Sequence, residues 1–210
     1  MSLGILALQG ALQPHRQKLT ALGVDAVLVR TAGEISACDG LILPGGESST
    51  LLNLIDHYRL RDPIVAFAAS RPVWGVCAGA ILMAERVENP SQESLGLIPM
   101  TVRRNAYGRQ NESFIAPVIF RDAGSAKTER EAVFIRAPSI IRFASSVQVL
   151  ADHHGDPVAL RYGSHLVTTY HPELSASDEF HALFVSLCRE AVTNPASGGG
   201  RPDEVMATPN

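Results

Sequence analysis

Apolar and polar residues follow two distinct rhythms along the first half of this chain. Short continuous apolar runs, typical of strands that are buried on both faces, are separated by stretches with helical spacing. The apolar runs predict strands over 5–8, 24–29, 41–43 and 73–76, and the stretches between and after them predict helices over 14–22, 48–58, 62–69 and 80–84. Strands that alternate with helices in this way predict a parallel sheet with helices on both faces.

The pattern changes after about residue 95, where short strand candidates follow one another with turn residues between them. These strands are predicted over 101–104, 113–120, 132–135, 147–151, 158–162 and 165–170. Gly155-Asp156 and Gly163-Ser164 predict two hairpins, so an antiparallel portion should extend the parallel half. A last helix is predicted over 176–192, with one apolar face made of Phe180, Leu183, Phe184, Leu187 and Cys188.

This pattern predicts an α/β fold, a three-layer sandwich with a mixed, mainly parallel central sheet flanked by helices. At 210 residues the chain is expected to form a single domain over 1–193, and the Gly- and Pro-containing stretch 194–210 is expected to be a disordered tail. The net charge of −3, without a block of basic residues, argues against a nucleic-acid partner. No apolar run is long enough to span a membrane. Three cysteines are an odd and sparse set, which favours a reducing cytoplasm over a disulfide framework.

The segment Gly75-Val76-Cys77-Ala78-Gly79 lies where a predicted strand turns directly into a predicted helix. This is the arrangement of a nucleophile elbow, in which one reactive side chain is presented at a sharp turn. The free N–H groups at the start of the following helix favour a thiolate and can hold an oxyanion. The alternative is a buried, unreactive cysteine at the end of a strand.

A base for such a thiol is found in His171-Pro172-Glu173, at the end of the last predicted strand. Pro172 disfavours the helical region for His171, which predicts an extended backbone there. Residues two apart in an extended chain point to the same side, so His171 and Glu173 should project together. One could then face the thiol while the other orients the imidazole ring. A lone structural histidine is the alternative, but the carboxylate two residues later argues against it.

The glycine pair in Pro44-Gly45-Gly46-Glu47-Ser48 follows a strand and precedes a helix. Glycines permit close approach of the backbone to a ligand, and their N–H groups could form half of an oxyanion hole with the N–H of Ala78 as the other half. An ordinary glycine turn in which Ser48 or Ser49 caps the helix is the alternative, and both can hold together. The segment lacks the lysine of a phosphate-binding loop.

With these motifs in place, the chain resembles the class I, or triad, glutamine amidotransferases. Among them it is most similar to the glutaminases that serve pyridoxal 5′-phosphate synthase. The resemblance covers most of residues 3–190. It rests on the segments Leu8-Gln9-Gly10, Leu43 to Ser48, Cys77-Ala78-Gly79, Arg103-Arg104-Asn105 with Tyr107 to Gln110, Phe134 to Pro138, and His171 to Leu174. The Cys and His-Pro-Glu elements are shared by the wider superfamily, whereas the glycine, arginine and Phe-Ile-Arg-Ala-Pro elements are the specific ones.

The resemblance implies a flavodoxin-like fold and a catalytic triad of Cys77, His171 and Glu173. It also implies that L-glutamine is bound by Gly46, Glu47, Ser48, Arg104, Ile135 and Arg136. These residue types suit the ligand, because a guanidinium pairs with its α-carboxylate and a carboxylate such as Glu47 can hold its α-ammonium group. Without the resemblance, Arg104, Arg109 and Arg136 would be interpreted as solvated surface residues or as members of ion pairs that bind no ligand. Val76 stands where many members have threonine before the nucleophile, and it is expected to pack in the sheet.

The implied activity is hydrolysis of glutamine to glutamate and ammonia through a glutamyl thioester, with no metal and no organic cofactor. The implied partner is a synthase subunit in a large hetero-oligomer, which receives the ammonia and completes the oxyanion hole. Gln9-Gly10 is the candidate coupling segment. Two alternatives stay open: a glutaminase of another synthase, such as imidazole glycerol phosphate synthase, and a catalytically silent α/β regulatory module.

Two other features of the sequence have simpler interpretations. His153-His154 precedes a Gly-Asp turn and has no further ligand at a useful spacing, so turn residues are predicted rather than a metal site. Cys38 and Cys188 lie in apolar surroundings and are predicted to be packing residues.

Overall fold

A computed structural model of the chain describes residues 1–104, 113–121 and 128–194. The strands in these ranges are β1 (Ser2–Leu6), β2 (Asp25–Val29), β3 (Gly40–Leu43), β4 (Val73–Val76), β5 (Ala84–Glu88), β6 (Ile98–Arg103), β7 (Ser113–Phe120), β8 (Thr128–Ile135), β9 (Ser139–Phe143), β10 (Gln148–His153), β11 (Asp156–Tyr162) and β12 (His165–Thr168). The helices are α1 (Leu12–Ala21), α2 (Ala32–Ser36), α3 (Ser48–His57), α4 (Arg61–Ala68), α5 (Ala78–Met83) and α6 (Glu179–Thr193), with a 3-10 turn over Pro172–Leu174.

The central sheet has nine strands in the order β2-β1-β3-β4-β12-β11-β10-β7-β8. The first five of these run parallel to one another, and the remaining four continue the sheet in antiparallel pairs. The two predicted hairpins join β10 to β11 and β11 to β12. The predicted combination of a parallel half with an antiparallel extension is therefore confirmed.

Helices cover both faces of the central sheet, which makes the three layers that the pattern predicts. The apolar faces of α3, α4 and α5 pack on one side in a core that includes Leu51, Ile64 and Leu82. On the other side α1 and α6 pack in a second core that includes Leu19 and Phe184. The strands of the parallel half have buried side chains on both faces, which explains their uninterrupted apolar runs.

Three elements are absent from the sequence-based prediction: α2, β5 and β9. Strands β5, β6 and β9 form a separate three-stranded sheet, so the predicted strand at 101–104 belongs to this small sheet and not to the central one. Strand β5 follows α5 with no intervening loop, and its buried side chains join the α3–α5 core. An apolar run that changes from helix to strand without a turn signal gives no sequence cue to the boundary.

The last helix also differs slightly from its prediction. Helix α6 begins at Glu179, and its buried face contains His181 and Val185 in addition to the predicted positions, while Leu183 is only partly buried. None of the helices in the three described ranges is long and apolar enough to cross a membrane. The predicted tail beyond residue 194 lies outside the described residues.

Candidate active site

Three neighbouring parallel strands end at the same edge of the sheet and bring the predicted motifs together. Strand β4 pairs with β3 on one side and with β12 on the other. Gly45 follows β3, Cys77 follows β4 and His171 follows β12. The carboxyl ends of parallel strands are where α/β proteins place their ligand sites. The topology thus explains why motifs about 30 and 95 residues apart in the printed sequence form one site.

Cys77 occupies a strained turn between β4 and α5. Its backbone has φ 49° and ψ −99°, a region that a non-glycine residue enters at a cost of about 1–3 kcal/mol. Its N–H donates to the carbonyl of Thr168 on β12 at 2.8 Å, which continues the sheet hydrogen bonding to the turn. The predicted strand–cysteine–helix elbow is present. The neighbouring Val76 is fully buried in the sheet, as expected.

The two glycines that flank the cysteine allow the elbow to close. A Cβ at Gly79 would lie 2.0 Å from the carbonyl oxygen of Leu43, at the end of β3. A Cβ at Gly75 would lie 2.5 Å from the carbonyl oxygen of Gly79. Since these neighbours are backbone atoms that cannot move aside, only glycine lets the first turn of α5 approach the ends of β3 and β4.

His171 and Glu173 meet as predicted, although the backbone between them is not a continuing strand. His171 has φ −107° and ψ 84°, outside the helical region, as its position before proline requires. Pro172–Leu174 then form a 3-10 turn, so the extended geometry predicted through Glu173 is wrong. The turn still brings His171 Nδ1 to 2.7 Å from Glu173 Oε1, and the His171 N–H is anchored on the carbonyl of Val133 at 2.8 Å.

The Cys77 thiol is close enough to the imidazole of His171 to favour its protonated form. Burial opposes protonation of this ring, but the interactions with Cys77 and the hydrogen bond to Glu173 more than offset burial and raise the pKa of His171 to about 10. Glu173 shows the matching effect: burial opposes its ionisation, yet the hydrogen bond from His171 lowers the pKa of the carboxyl. The three side chains therefore form a contiguous acid–base chain in which a proton is well held on His171.

The glycine loop after β3 lies directly against this histidine. A Cβ at Gly45 would lie 2.5 Å from the Cε1 atom of His171, so the loop can pass the ring only without a side chain. On the other side of the site, the Cys77 thiol lies 3.8 Å from the carbonyl oxygen of Ile135 at the end of β8. The turn after Cys77 lies near the start of the glycine loop, because Gly79 packs against Leu43, two residues before Gly45.

Glu47, and not Ser48 or Ser49, caps the helix that follows the loop. Its carboxylate accepts hydrogen bonds from the N–H groups of Ser49 at 3.1 Å and Thr50 at 2.7 Å, which corrects the predicted serine cap. Burial opposes the effect, but hydrogen bonds from Thr50 and Ser49 lower the pKa of Glu47 to about 2. A carboxylate accepts these helix N-terminal N–H groups more strongly than a hydroxyl would, because its bonds are charge-assisted.

Arg104 reaches the same carboxylate from the end of β6. Its guanidinium nitrogen lies 3.2 Å from Glu47 Oε1, and the backbone N–H of Arg104 donates to the carbonyl of Glu88. Ser48 is buried and donates its hydroxyl to the side-chain oxygen of Gln92 at 3.0 Å. The rest of the predicted arginine motif, Asn105 and Tyr107 to Gln110, lies outside the described residues.

Of the neighbouring residues Ile135 and Arg136, only Ile135 contacts Cys77 in the described structure. The Ile135 carbonyl contacts the thiol, whereas the Arg136 side chain is exposed and its backbone has φ 44°. Among the described residues, the ion-pair partner of Glu47 is Arg104 and not Arg136. The structure therefore brings Ile135 into the site through its backbone and leaves the Arg136 side chain at the surface.

Gln9-Gly10, the segment after β1, packs on the glycine loop as expected. Gly10 has φ 109°, and a Cβ there would lie 1.9 Å from the carbonyl oxygen of Gly45. With its amide oriented to satisfy both ends, Gln9 accepts from the Glu47 N–H at 3.1 Å and donates to the Glu47 carbonyl at 3.3 Å. A displacement of Gln9-Gly10 would therefore move the loop that lies against His171.

Comparison with known proteins agrees with this geometry. The model of the SNO glutamine amidotransferase family matches residues 5–190. The chain belongs to this family. It is 48% identical over 186 residues to a protein of Solibacter usitatus named pyridoxal 5′-phosphate synthase subunit PdxT, covering 87% of this chain and 97% of that protein. A protein of the same name from Geobacillus thermodenitrificans is 42% identical over 194 residues, covering 92% of this chain and 98% of the relative.

Solved structures extend the likeness to the fold. A crystal structure described as a glutamine amidotransferase superposes with a TM-score of 0.82 at 37% identity, covering 89% of this chain and 98% of that one. The structure of PurLQS from Thermotoga maritima superposes with a TM-score of 0.67 at 12% identity and covers 92% of this chain and 97% of the matched one, which shows a shared fold alone. The expected amidotransferase fold is confirmed, and the chain is a glutamine amidohydrolase by family.

Three polar residues at or behind the site were missed from the sequence. His15 is fully buried next to Glu173, His181 is fully buried behind His15, and Gln92 accepts the Ser48 hydroxyl. The two histidines had a detectable signal: His15 lies four residues before the buried Leu19, and His181 lies four and seven residues before Val185 and Cys188. A polar residue within the apolar stripe of a helix marks a buried polar contact.

The structure also locates His153-His154, Cys38 and Cys188. His153 ends β10 and His154 lies in the turn before Gly155, and the described parts of the chain contain no group of three or more side chains suited to hold a metal ion. Cys38 and Cys188 are buried free thiols. Their sulfurs pack so closely against Gly4 and Gly40 that a Cβ at either glycine would lie within 3 Å of sulfur.

Proposed function

We propose that this chain is the glutaminase subunit of a pyridoxal 5′-phosphate synthase, and that residues 1–193 act as one glutaminase domain in the cytoplasm. The observation that carries the proposal is the placement of the Cys77 thiol beside His171, whose ring is hydrogen-bonded to Glu173, at the ends of β4 and β12. The names of the relatives from Solibacter usitatus and Geobacillus thermodenitrificans support the choice of synthase.

In the proposed reaction, the Cys77 thiolate attacks the carboxamide carbon of L-glutamine while His171 holds the proton of the thiol. The N–H groups of Gly46 and Ala78 stabilise the oxyanion that develops on the carboxamide oxygen. The C–N bond then breaks, and His171 returns the proton to the departing ammonia, which leaves a glutamyl thioester on Cys77. His171 next takes a proton from water, the hydroxide adds to the thioester carbon, and the C–S bond breaks to give L-glutamate.

Glu173 has a distinct part in this sequence. Its Oε1 atom accepts the Nδ1–H of His171, which keeps the opposite ring nitrogen directed at sulfur and stabilises the imidazolium. Glutamine would be held by Glu47 and Arg104 through its α-ammonium and α-carboxylate groups, with Ser48, the Ile135 backbone and Arg136 completing the binding site. The steps require no metal and no organic cofactor.

The second half of the proposal is delivery of ammonia to a synthase subunit. Ammonia released into water near neutral pH becomes ammonium, which is not a nucleophile, so its useful transfer requires a docked acceptor. Docking is proposed to act through Gln9-Gly10, because this segment contacts the Gly45-Gly46-Glu47 loop that borders His171. Through these contacts the partner would complete the oxyanion hole, and the two chains would assemble into a larger hetero-oligomer.

The two other functions suggested by the sequence have less support. An imidazole glycerol phosphate synthase partner does not match the names of the relatives described above. A silent regulatory module would not require the strained Cys77 backbone or the buried histidine–glutamate contact.

The decisive experiment measures glutamate release by the full chain with and without its synthase subunit. We expect hydrolysis to accelerate strongly in the complex, and we expect Cys77→Ala to lower it by at least about a thousandfold. Cys38→Ala is the matched control, since that buried thiol lies away from the site and its loss should leave turnover unchanged. Turnover by Cys77→Ala at the wild-type rate would refute the mechanism, and equal turnover with and without the synthase subunit would refute the coupling.

A further inference from the structure

The second carboxylate oxygen of Glu173 is buried and lacks a hydrogen bond to any described residue. The Glu173 side chain is fully inaccessible, and only its Oε1 atom is engaged, by His171. A buried carboxylate oxygen without a donor is costly, because it has lost its water and gained no replacement. The structure around Oε2 should therefore contain a donor placed to approach it.

His15 is in that position. Its Nε2 atom lies 3.6 Å from Glu173 Oε2, and the His15 side chain is also fully inaccessible. The ring projects from α1, where Trp74 packs against it edge to face at a centroid distance of 5.6 Å. The separation is a few tenths of an ångström longer than a hydrogen bond, so a small shift of either side chain completes the contact.

A second buried histidine lies behind the first. His181 on α6 places its Nε2 atom 3.0 Å from His15 Nδ1. A neutral imidazole carries one proton on one of its two nitrogens. Because one of the two facing nitrogens must donate and the other must accept, the protonation of His15 and that of His181 are linked.

When both rings are neutral, only one arrangement satisfies both contacts. If His15 carries its proton on Nε2, it donates to Glu173 Oε2, and its Nδ1 accepts the Nε2–H of His181. If His15 carries its proton on Nδ1 instead, the lone pair of His15 Nε2 faces the carboxylate oxygen in a buried space. His181 must then accept at its Nε2 atom and carry its own proton on its Nδ1 atom, which has no described acceptor. The first arrangement makes a continuous line of hydrogen bonds from His181 through His15, Glu173 and His171 to Cys77.

The charges around this pair favour neutral rings. Burial lowers the pKa of His15 to about 4, although Glu173 opposes the change, and burial lowers the pKa of His181 to about 2. Lys18 on α1 lowers both values further while it pairs with Asp178 at 2.6 Å. Each ring therefore has a single proton near neutral pH, as the arrangement requires.

We infer that His15 is a positioning residue for the glutaminase reaction, which donates a hydrogen bond to Glu173 Oε2, and that His181 selects the required tautomer of His15. The inference rests on the proposed function of Glu173. His15 is placed to act through Glu173, whose carboxylate it would hold in the plane in which His171 faces the Cys77 sulfur.

The tautomer is tested without any activity measurement. The full chain, labelled with ¹⁵N-histidine, is examined by long-range ¹H–¹⁵N NMR at pH 7, and the rings are assigned by comparison with His15→Gln and His181→Gln. We expect His15 to be neutral with its proton on Nε2. A proton on Nδ1 of His15, or a doubly protonated ring, would overturn the inference and would leave the proposed function unaffected.

The positioning role is tested by kinetics of the complex with the synthase subunit. His15→Leu keeps most of the volume and removes the donor, so we expect kcat to fall about tenfold while KM for glutamine stays within about twofold. His15→Gln can present an amide N–H near the former Nε2 position, and we expect it to restore kcat to within about threefold of the wild type. Rescue by Gln separates hydrogen bonding from simple packing.

His165→Leu is the matched control for removal of a partly buried imidazole. His165 lies at the opposite end of β12, where its Nδ1 accepts from the Val73 N–H, and this substitution should leave kcat unchanged. A fully active His15→Leu, or a His15→Gln as slow as His15→Leu, would contradict the inference. If His15→Leu does not fold, His15→Gln and the NMR tautomer still decide it. Wild-type activity in Glu173→Gln would instead point to failure of the proposed function.

Discussion

The proposed triad and the proposed glutamine-binding rim, Glu47 with Arg104, lie at the same edge of the sheet but are built in opposite ways. Cys77, His171 and Glu173 are at most 6% exposed, and each is tied to a neighbouring strand or turn by hydrogen bonds. The Glu47 and Arg104 side chains of the rim are 42% and 14% exposed and pair with each other. The reacting groups are therefore arranged before substrate arrives, whereas the binding groups must exchange partners.

The physical reason lies in what each region must do. Electrostatic stabilisation of a transition state is most effective when the groups are already oriented in a site that excludes water. Substrate must enter and leave, so the charges that hold its ends remain accessible and are satisfied in the free chain by each other. In the free chain, Glu47 and Arg104 thus occupy for each other the places that the α-carboxylate and the α-ammonium group of an amino acid would take.

The largest effect on turnover is expected from changing Glu173, the buried carboxylate that orients His171. Glu173→Gln keeps the size of the side chain but replaces an acceptor with an amide that can favour the wrong His171 tautomer. We expect kcat of the complex to fall by about 10³-fold with KM little changed. Steady-state kinetics over a range of glutamine concentrations separates the two parameters.

Glu179→Gln is a suitable control, because it removes an exposed carboxylate that pairs with Arg130 on the surface. It should not change kcat. A large rise in KM for Glu173→Gln, with kcat preserved, would mean that the buried region also binds substrate and would break the distinction between the two regions.

A substitution in the rim should instead change KM more than kcat, and the effect should be smaller than that of Glu173→Gln. Arg104→Ala removes the proposed partner of the α-carboxylate, so we expect KM for glutamine to rise about 30-fold and kcat to stay within about threefold. The same steady-state assay of the complex measures it. Arg103→Ala, the adjacent exposed arginine, is the control and should behave as the wild type. A fall in kcat without a rise in KM would show that Arg104 serves the chemistry and not binding.

The smallest effect concerns acid stability, to which the buried His181 behind the triad should contribute. In the unfolded chain His181 takes up a proton below its ordinary pKa of about 6.5, whereas the folded chain resists protonation down to about 2. Its contribution to the free energy of unfolding is therefore present above pH 6.5 and decreases as the pH falls below that value. Between pH 7.5 and 5.5 this amounts to about 1 kcal/mol.

Urea unfolding of the full chain at these two pH values measures the effect. His181→Leu should lose less stability on acidification than the wild type by that amount. Glu47→Gln should show the wild-type dependence, because the pKa of Glu47 is about 2 and its carboxylate does not titrate in this window. An unchanged pH dependence in His181→Leu would contradict the assignment of acid sensitivity to the buried histidines.

Much of the fold follows from local pattern. The strands of the parallel half are recognisable because they are buried on both faces and their apolar runs are unbroken. The missed elements, α2, β5 and β9, are each only five residues long, too short for a periodic signal to develop. The capping glutamate was missed for a related reason, since Ser48, Ser49 and Glu47 are all acceptable caps and only the loop path selects among them.

The residues of the candidate site also differ in whether the sequence alone could identify them. Cys77 and His171-Pro172-Glu173 could be identified from the sequence because strand-to-helix and pre-proline geometry are local properties of the backbone. The pairings of Arg104 with Glu47, of His15 with Glu173 and of His181 with His15 depend on where separate elements cross, and no local pattern encodes them. The sequence by itself thus determined most of the elements and the candidate reactive residues. Their neighbours were decided by the tertiary structure alone, because burial removes water and each polar group must then find its partner on another element.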